Sequence, residues 1–349
     1  MPPRRLRATV SGVVLALVAA SAGLHVAWNG AVRGAGGSPR FIWLLTLGAA
    51  LGGLVVTGPG LLAPALWRAW PELALTVPLN AAYFVALGRA YVEGELSWAY
   101  PLARGLAIAL TAPLALVALG QPLGPLAWVG VGVVAAGLVA LGPAPVAGPP
   151  GRVREGAARA ASHRAPASGP PVSAPARPGP AEGPGHGSED GAGLGLAEGS
   201  GGGAAPSRPG GGRGPGAWRR WLWPVAVGVL VAAYSLVDSQ AVRRGAPPLA
   251  YACLEYLGCA LLLWPGARRQ ARLPRPGIPL GAGAVSLASY VLLLHAYRLA
   301  PVGGVLALRQ IAPSLATLVG ALALRERVDG RRALATAAIV VGAVLIALP

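Results

Sequence analysis

Ten runs of mostly apolar residues occur along the chain, and each is close to the ~20 residues that a helix needs to cross a bilayer core. Helices satisfy their own backbone hydrogen bonds in lipid, where no water can do so. The runs therefore predict an all-α polytopic membrane protein with ten transmembrane helices. They are Ala8–Ala31, Phe41–Leu62, Glu72–Tyr91, Leu96–Leu119, Pro125–Leu141, Trp221–Val242, Leu249–Gly266, Pro279–Leu299, Val302–Leu324 and Arg332–Leu348.

The charge balance fits a membrane protein better than a nucleic-acid-binding one. Only 12% of residues are charged, whereas soluble chains carry about a quarter. The formal net charge is +17, but the arginines lie between the apolar runs and form no basic face interleaved with aromatic residues. We therefore expect a lipid bilayer as partner and no nucleic acid. The two cysteines and four histidines show no metal-ligand spacing, so no cofactor or metal is expected.

The region between the fifth and sixth runs has a different composition. It consists largely of Pro, Gly, Ala and Ser, with few large apolar residues that could form a core. We predict a disordered linker over residues 144–217. It separates a first five-helix unit, residues 1–143, from a second, residues 218–349.

The two units resemble one another. Near the end of each unit a shift of 205 positions aligns three pairs, and near the start a shift of 210 aligns two more. Because five spans is an odd number, the second copy must enter the bilayer from the opposite face, which makes an inverted repeat typical of transporters. The first run has a basic start and an Ala-Ser-Ala triplet like those of signal peptides, but it matches the sixth run and is predicted to be a retained helix. The aligned pairs are Arg104 with Arg309, Gln121 with Glu326, Gly137 with Gly342, Asn29 with Ser239, and Arg33 with Arg243.

Several stretches carry a family resemblance. They are "LSWAYPLARG", "LALRERVDGRRALATAAIVVGAVLIAL", "LHVAWNGAVR" and "VAAYSLVDSQAVR". Together they resemble the drug/metabolite transporter superfamily, EamA type. The resemblance implies a bacterial inner-membrane carrier that exports amino acids, metabolites or drugs through a cavity between two five-helix repeats. It also implies coupling to protons. The chain departs from the pattern at Gln121, where the second copy has Glu326, and in its long linker.

Polar side chains inside the apolar runs are candidate site residues, because each is costly in lipid unless it is paired or hydrated. Arg104 and Arg309 occupy matching positions and could attract an anionic or zwitterionic substrate. They could instead be structural and snorkel towards one face of the membrane. The candidates for substrate binding are Arg104, Arg309, Asn29, Trp28, Tyr100, Tyr234 and Gln310.

Three further residues are candidates for proton coupling or for ion pairs. Asp238 and Glu255 are acidic residues embedded in apolar runs, so we expect them either to pair with Arg104 or Arg309 or to carry protons. His25 shares a helical turn with Trp28 and Asn29. Hydrogen bonding between helices is the alternative role for these residues.

The function predicted from these features is secondary transport by alternating access, exporting a small molecule. A flippase for a lipid-linked sugar or headgroup stays an alternative with the same fold. An intramembrane enzyme is disfavoured, because no H-E-x-x-H or G-x-S-x-G motif occurs. The count of arginines in loops favours one orientation and the first half favours the other. We predict cytoplasmic termini and leave a homodimer open.

Overall fold

A computed structural model describes residues 11–93, 96–142, 217–271, 273–311 and 330–348. All of these residues belong to one compact unit. Every regular element in the described ranges is helical. Eight of the helices are long and apolar enough to cross a membrane.

The first half contributes seven elements. A 3-10 turn at Gly58–Leu62 and a short helix connect the second and third long helices. The helices are α1 (Gly12–Gly34), α2 (Pro39–Thr57), α3 (Pro64–Arg68), α4 (Trp70–Glu93), α5 (Leu96–Leu119) and α6 (Pro125–Leu141).

The second half repeats the order of long helices. Its helices are α7 (Ala217–Arg243), α8 (Pro248–Ala267), α9 (Gly277–Leu299), α10 (Val302–Ile311) and α11 (Gly330–Ala347). The sequence predicted α5 and α6 with the bounds that the structure gives, and it also predicted the end of α9 at Leu299 and the start of α10 at Val302. The other described helix ends differ by one to five residues. The structure supports eight spans where the sequence predicted ten. The fifth predicted span, α6, has 17 residues and is shorter than the ~20 residues that usually cross a bilayer core. The ninth is described only as far as Ile311. The predicted linker lies outside the described residues, except that Ala217 already belongs to α7.

The helix ends follow from local chemistry. Ser11 and Ser38 precede α1 and α2, and each hydroxyl accepts a hydrogen bond from a backbone N–H of the first turn. Proline stands at the start of α2, α6 and α8, where its missing N–H costs nothing. Gly142 ends α6 with a φ of 71°, a conformation that favours glycine.

The distribution of polarity is inverted relative to a soluble protein. Val55, Val117 and Val139 lie on helix surfaces with 80% or more of their area exposed, whereas Asp238 and Arg104 are at most 2% exposed. Apolar residues that face outward in this way are solvated by lipid, while the polar groups find partners inside. The candidate site therefore has to be sought within the helix bundle.

The two halves pack on each other in reciprocal fashion. The first long helix of each half contacts the third of the other, as α1 with α9 and α7 with α4. The second helices contact each other and the opposite third helices, and the fifth helices, α6 and α11, pack together. A Cβ added at Gly130 would lie 2.7 Å from the carbonyl oxygen of Gly342, and one added at Gly342 would lie 2.7 Å from that of Gly130. Gly137 approaches Ala335 in the same way, so α6 and α11 run antiparallel in close contact.

Candidate functional site

A small cavity lies at the centre of the bundle, lined by side chains from both halves. Its volume is about 20 Å³, room for one water molecule. Its wall is largely aromatic and contains one histidine, one glutamate and one arginine. The lining residues are His25, Trp28, Asn80, Tyr83, Phe84, Tyr234, Glu255, Tyr256, Ser286, Tyr290 and Arg309.

Two arginines, one from each half, converge on His25 beside this cavity. Nη2 of Arg104, on α5, lies 2.8 Å from Nε2 of the imidazole ring. Nη2 of Arg309, on α10, lies 3.1 Å from Nδ1 of the same ring and also donates to the Ser289 hydroxyl at 3.2 Å. Arg104 and Arg309 are 2% and 4% exposed, so neither guanidinium faces lipid. The interior placement excludes the snorkelling arrangement for both.

This cluster has more hydrogen-bond donors than acceptors. A neutral imidazole has one N–H donor and one acceptor nitrogen. Guanidinium groups face both nitrogens, so in either tautomer the ring N–H meets a group that cannot accept from it. The buried Nε of Arg309 has no hydrogen-bond partner. Within the described ranges, no carboxylate forms an ion pair with Arg104 or Arg309.

Neighbouring groups fix the positions of His25 and Arg104. Asn29, one turn further along α1, donates from its amide to the backbone carbonyl of His25 at 2.9 Å. The Asn29 carbonyl accepts from the Tyr91 hydroxyl at 2.9 Å. The guanidinium carbon of Arg104 lies 5.1 Å from the centre of the Tyr100 ring, within range of a cation–π contact. Among the described residues, the groups that contact Arg104 are therefore all neutral.

Asp238 and Glu255 form a second buried cluster around Tyr290. The Tyr290 hydroxyl lies 2.7 Å from Oε2 of Glu255 and also contacts Oδ2 of Asp238. Oδ1 of Asp238 accepts from the hydroxyls of Thr76 at 2.7 Å and Tyr251 at 3.1 Å. Oε1 of Glu255 accepts from the side-chain amide of Asn80. Thr76 and Asn80 lie on α4, so this cluster also joins the two halves.

The comparisons with known proteins bear on the half that carries the acids. Residues 219–348 match the model of the EamA-like transporter family. The second half of the chain is thus similar to this family. With its eight apolar helices long enough to cross a bilayer, the chain is a multi-pass membrane protein. A solved crystal structure has the same overall fold, with a TM-score of 0.56 and 19% sequence identity over 96% of each chain. The comparison with curated proteins gives no match.

The EamA-like chain brings most of the predicted residues together. Trp28 and Tyr234 line the central cavity with His25, Glu255 and Arg309. Gln310 is buried beside Arg309 on α10, and Asn29 and Tyr100 contact His25 and Arg104. The expected ion pairs of Asp238 or Glu255 with Arg104 or Arg309 do not occur among the described residues. Instead, hydroxyl and amide groups form hydrogen bonds with the two acids. The sequence interpretation missed Thr76, Asn80, Tyr91 and Ser289.

A second, larger cavity lies next to the central one. It has a volume of about 400 Å³ and is lined by the α1–α2 loop and the ends of α4 and α8. Phe84 is the residue that the two cavities share. Its ring is 2% exposed and packs near Trp28, Tyr83 and Tyr256, with ring centres 5.3 to 6.2 Å apart. We call this second space the outer cavity.

Proposed function

We propose that this EamA-like chain is a secondary transporter that moves a small anionic or zwitterionic molecule through its central cavity. The observation that carries the proposal is the convergence of Arg104 and Arg309 on His25 in a buried site with no described carboxylate partner. Arginine suits this role because its planar guanidinium binds carboxylates and phosphates through two parallel hydrogen bonds.

The energetics favour a ligand that accepts hydrogen bonds. A buried donor without a partner costs about 1–3 kcal/mol, and more when it is charged. Arg309 Nε and the imidazole N–H that faces a guanidinium are two such donors. A carboxylate or phosphate bound beside the imidazole ring would accept hydrogen bonds from such donors and would also offset the two positive charges. The substrate anion would thus supply the hydrogen-bond acceptors and the negative charge that the described protein groups around the arginines lack.

Alternating access is supported by the reciprocal packing of the halves. The 205-position shift that aligns Arg104 with Arg309 also aligns Gly130 with Ala335 and Gly137 with Gly342. The contact of Gly130 with Gly342 therefore has a counterpart in the contact of Ala335 with Gly137. Equivalent helices that pack antiparallel in this way are what an inverted repeat with an in-plane two-fold axis produces. We accordingly assign residues 1–143 and 218–349 to two inverted repeats of five spans, joined by a linker at 144–217.

The closed geometry suggests how the substrate enters. The central cavity, at about 20 Å³, is far smaller than the ~300 Å³ of a typical small-molecule site, so substrate binding requires the halves to move apart. The outer cavity is large enough and meets the central one at Phe84. In our proposal the side chain of Phe84 is the barrier between them.

Direction, coupling and location complete the proposal. We infer export driven by the proton gradient across a bacterial inner membrane, with both termini cytoplasmic. Asp238 and Glu255 support proton coupling because both are buried beside the central cavity without a described cationic partner. His25 is placed to act on the substrate, since it separates the two guanidiniums.

A lipid-headgroup flippase is the second candidate. It is favoured by the wall of the outer cavity, where the lining residues Val85, Val92 and Leu262 face outward and would meet lipid. A headgroup could reach Phe84 through such an opening while its acyl chains stay in the bilayer.

A comparison of metabolites tests the proposal. Cells with and without the gene are grown in parallel, and small molecules in the medium and lipids in the membranes are profiled. We expect a carboxylate or phosphate compound to accumulate in the medium of the expressing cells, and to leave proteoliposomes faster when a proton gradient is imposed. A change confined to membrane lipids would favour the flippase, and no change in either would contradict both.

A further inference from the structure

We propose that Asp238, Tyr290 and Glu255 form a proton-binding site, in which the two carboxyl groups share one proton through the tyrosine hydroxyl. The meaning of the site for transport rests on the proposed function, whereas its existence rests on the hydrogen bonds alone.

The count of hydrogens favours a shared proton. The Tyr290 hydroxyl contacts Oδ2 of Asp238 and Oε2 of Glu255. A hydroxyl has a single proton to donate, and a carboxylate only accepts. Two separate hydrogen bonds form only if one carboxyl group is protonated and donates to the tyrosine oxygen, whereas a bifurcated bond from the hydroxyl would leave two close carboxylates charged. In our proposal the cluster therefore holds one proton beyond that of the tyrosine itself.

The remaining contacts locate that proton. Oδ1 of Asp238 already accepts from Thr76 and Tyr251, and Oε1 of Glu255 accepts from Asn80. A proton on Oε1 would face the Asn80 amide N–H, which cannot accept it, and a proton on Oδ1 would require Thr76 or Tyr251 to give up the bond it donates. We therefore place the acid proton on Oδ2 or Oε2, the two oxygens that face Tyr290.

The surroundings favour one negative charge over two. Asp238 is fully buried and Glu255 is 2% exposed, and a pair of close, desolvated carboxylates is strongly unfavourable. Within the described ranges no arginine lies within ion-pair distance of either acid. The titratable groups nearest to the cluster on the packed elements are His25 on α1, Tyr83 on α4, Tyr234 on α7, Tyr251, Tyr256 and Cys259 on α8, Tyr297 on α9 and Arg309 on α10.

The proposed proton site lies where the two halves meet. The acids and Tyr290 belong to α7, α8 and α9, whereas Thr76 and Asn80 belong to α4 of the first half. Without the shared proton, two carboxylates would compete for one tyrosine donor and repel each other. The central cavity is lined by Glu255, Asn80 and Tyr290. A substrate in this cavity would therefore bind next to the proposed proton site.

Infrared spectroscopy of the purified full-length protein tests the site without any transport assay. The carbonyl stretch of a protonated carboxylic acid is separate from that of a carboxylate, and a pH titration follows the shared proton. We expect the wild type to show such a band at neutral pH and to lose it at high pH. Asp238→Asn and Glu255→Gln should each change it, and Tyr290→Phe should shift its frequency. Glu72→Gln is the matched control, because Glu72 is buried but pairs with Arg244 at 2.5 Å and should contribute no acid band.

Each outcome decides the proposal. Absence of a protonated-acid band in the wild type at neutral pH would overturn it, as would a band that none of the three substitutions alters. If Asp238→Asn fails to fold, Thr76→Val removes one donor to Asp238 and should still shift the band. A titrating band in a protein whose export ignores the proton gradient would sustain the site and contradict only the coupling in the proposed function.

Discussion

Arg104 and Arg309 hold the two ring nitrogens of a single histidine between them, at 2.8 Å and 3.1 Å. The two arginines are 205 positions apart in the chain and occupy matching places in its two halves. The imidazole ring therefore acts as a spacer between two buried positive charges that come from different halves. Any movement of one half against the other must change this geometry, so in the proposed transport cycle the spacing of the two arginines would follow the movement of the halves.

Inverted topology predicts that equivalent loops of the two halves lie on opposite faces of the membrane. The α1–α2 loop and the α7–α8 loop are such a pair. With Cys253 and Cys259 replaced by alanine, Ser38→Cys and Arg244→Cys should react with an impermeant thiol reagent from opposite sides. Gln270→Cys should react from the same side as Ser38→Cys, because the two wild-type side chains form a hydrogen bond of 3.0 Å. Labelling of Ser38→Cys and Arg244→Cys from one side would rule out the inverted repeat.

Close packing of α2 and α9 predicts a sharp contrast between two neighbouring glycines. A methyl group at Gly283 would overlap the carbonyl oxygen of Leu45, whereas one at Gly281 would meet nothing within 4 Å. We expect Gly283→Ala to destabilise the protein by about 1–3 kcal/mol through overpacking. Gly281→Ala should be neutral or slightly stabilising, since alanine favours helix. Thermal unfolding in detergent compares the two, and equal melting temperatures would contradict the packing described for these helices.

The barrier role of Phe84 predicts that removing its ring joins the two cavities. Ser286 lines the central cavity and is 1% exposed, so Ser286→Cys in the cysteine-free background should react slowly with a thiol reagent. Adding Phe84→Ala should raise the labelling rate severalfold from the face where Gln270 lies, and from that face alone. Phe41→Ala is a control, since Phe41 is equally buried but does not line either cavity. An unchanged rate in the Phe84→Ala protein would show that access follows another route.

The elements of this fold were largely predictable, because a transmembrane helix is specified by local composition. The predicted bounds of α6 agree with the structure at both ends, since Pro125 and Gly142 mark them chemically. Local composition also identified Arg104, Arg309, Asp238 and Glu255, because each is out of place in an apolar run.

The partners of these residues were not predictable in the same way. Opposite charges can be recognised in a sequence without a structure, so the sequence analysis predicted ion pairs between the arginines and the acids. In the structure, Asp238 and Glu255 instead form hydrogen bonds with Thr76, Asn80 and Tyr290. Hydroxyl and amide groups are common in apolar runs, so the sequence does not mark these three residues as partners of the acids. Only the packing of α4 and α9 against α7 and α8 brings these groups to the acids.

The most direct test of the account is the rate at which the exported compound leaves cells that carry arginine variants at equal membrane abundance. Losing a charged partner in a buried site costs about 2 kcal/mol or more, so Arg104→Gln and Arg309→Gln should each slow export about thirtyfold or more. The lysine variants should be intermediate, because they keep the charge but lose the planar fork. Arg275→Gln, at an exposed loop position, should match the wild type. If Arg104→Gln and Arg309→Gln export at the wild-type rate, the two arginines do not bind the substrate and the central claim is wrong.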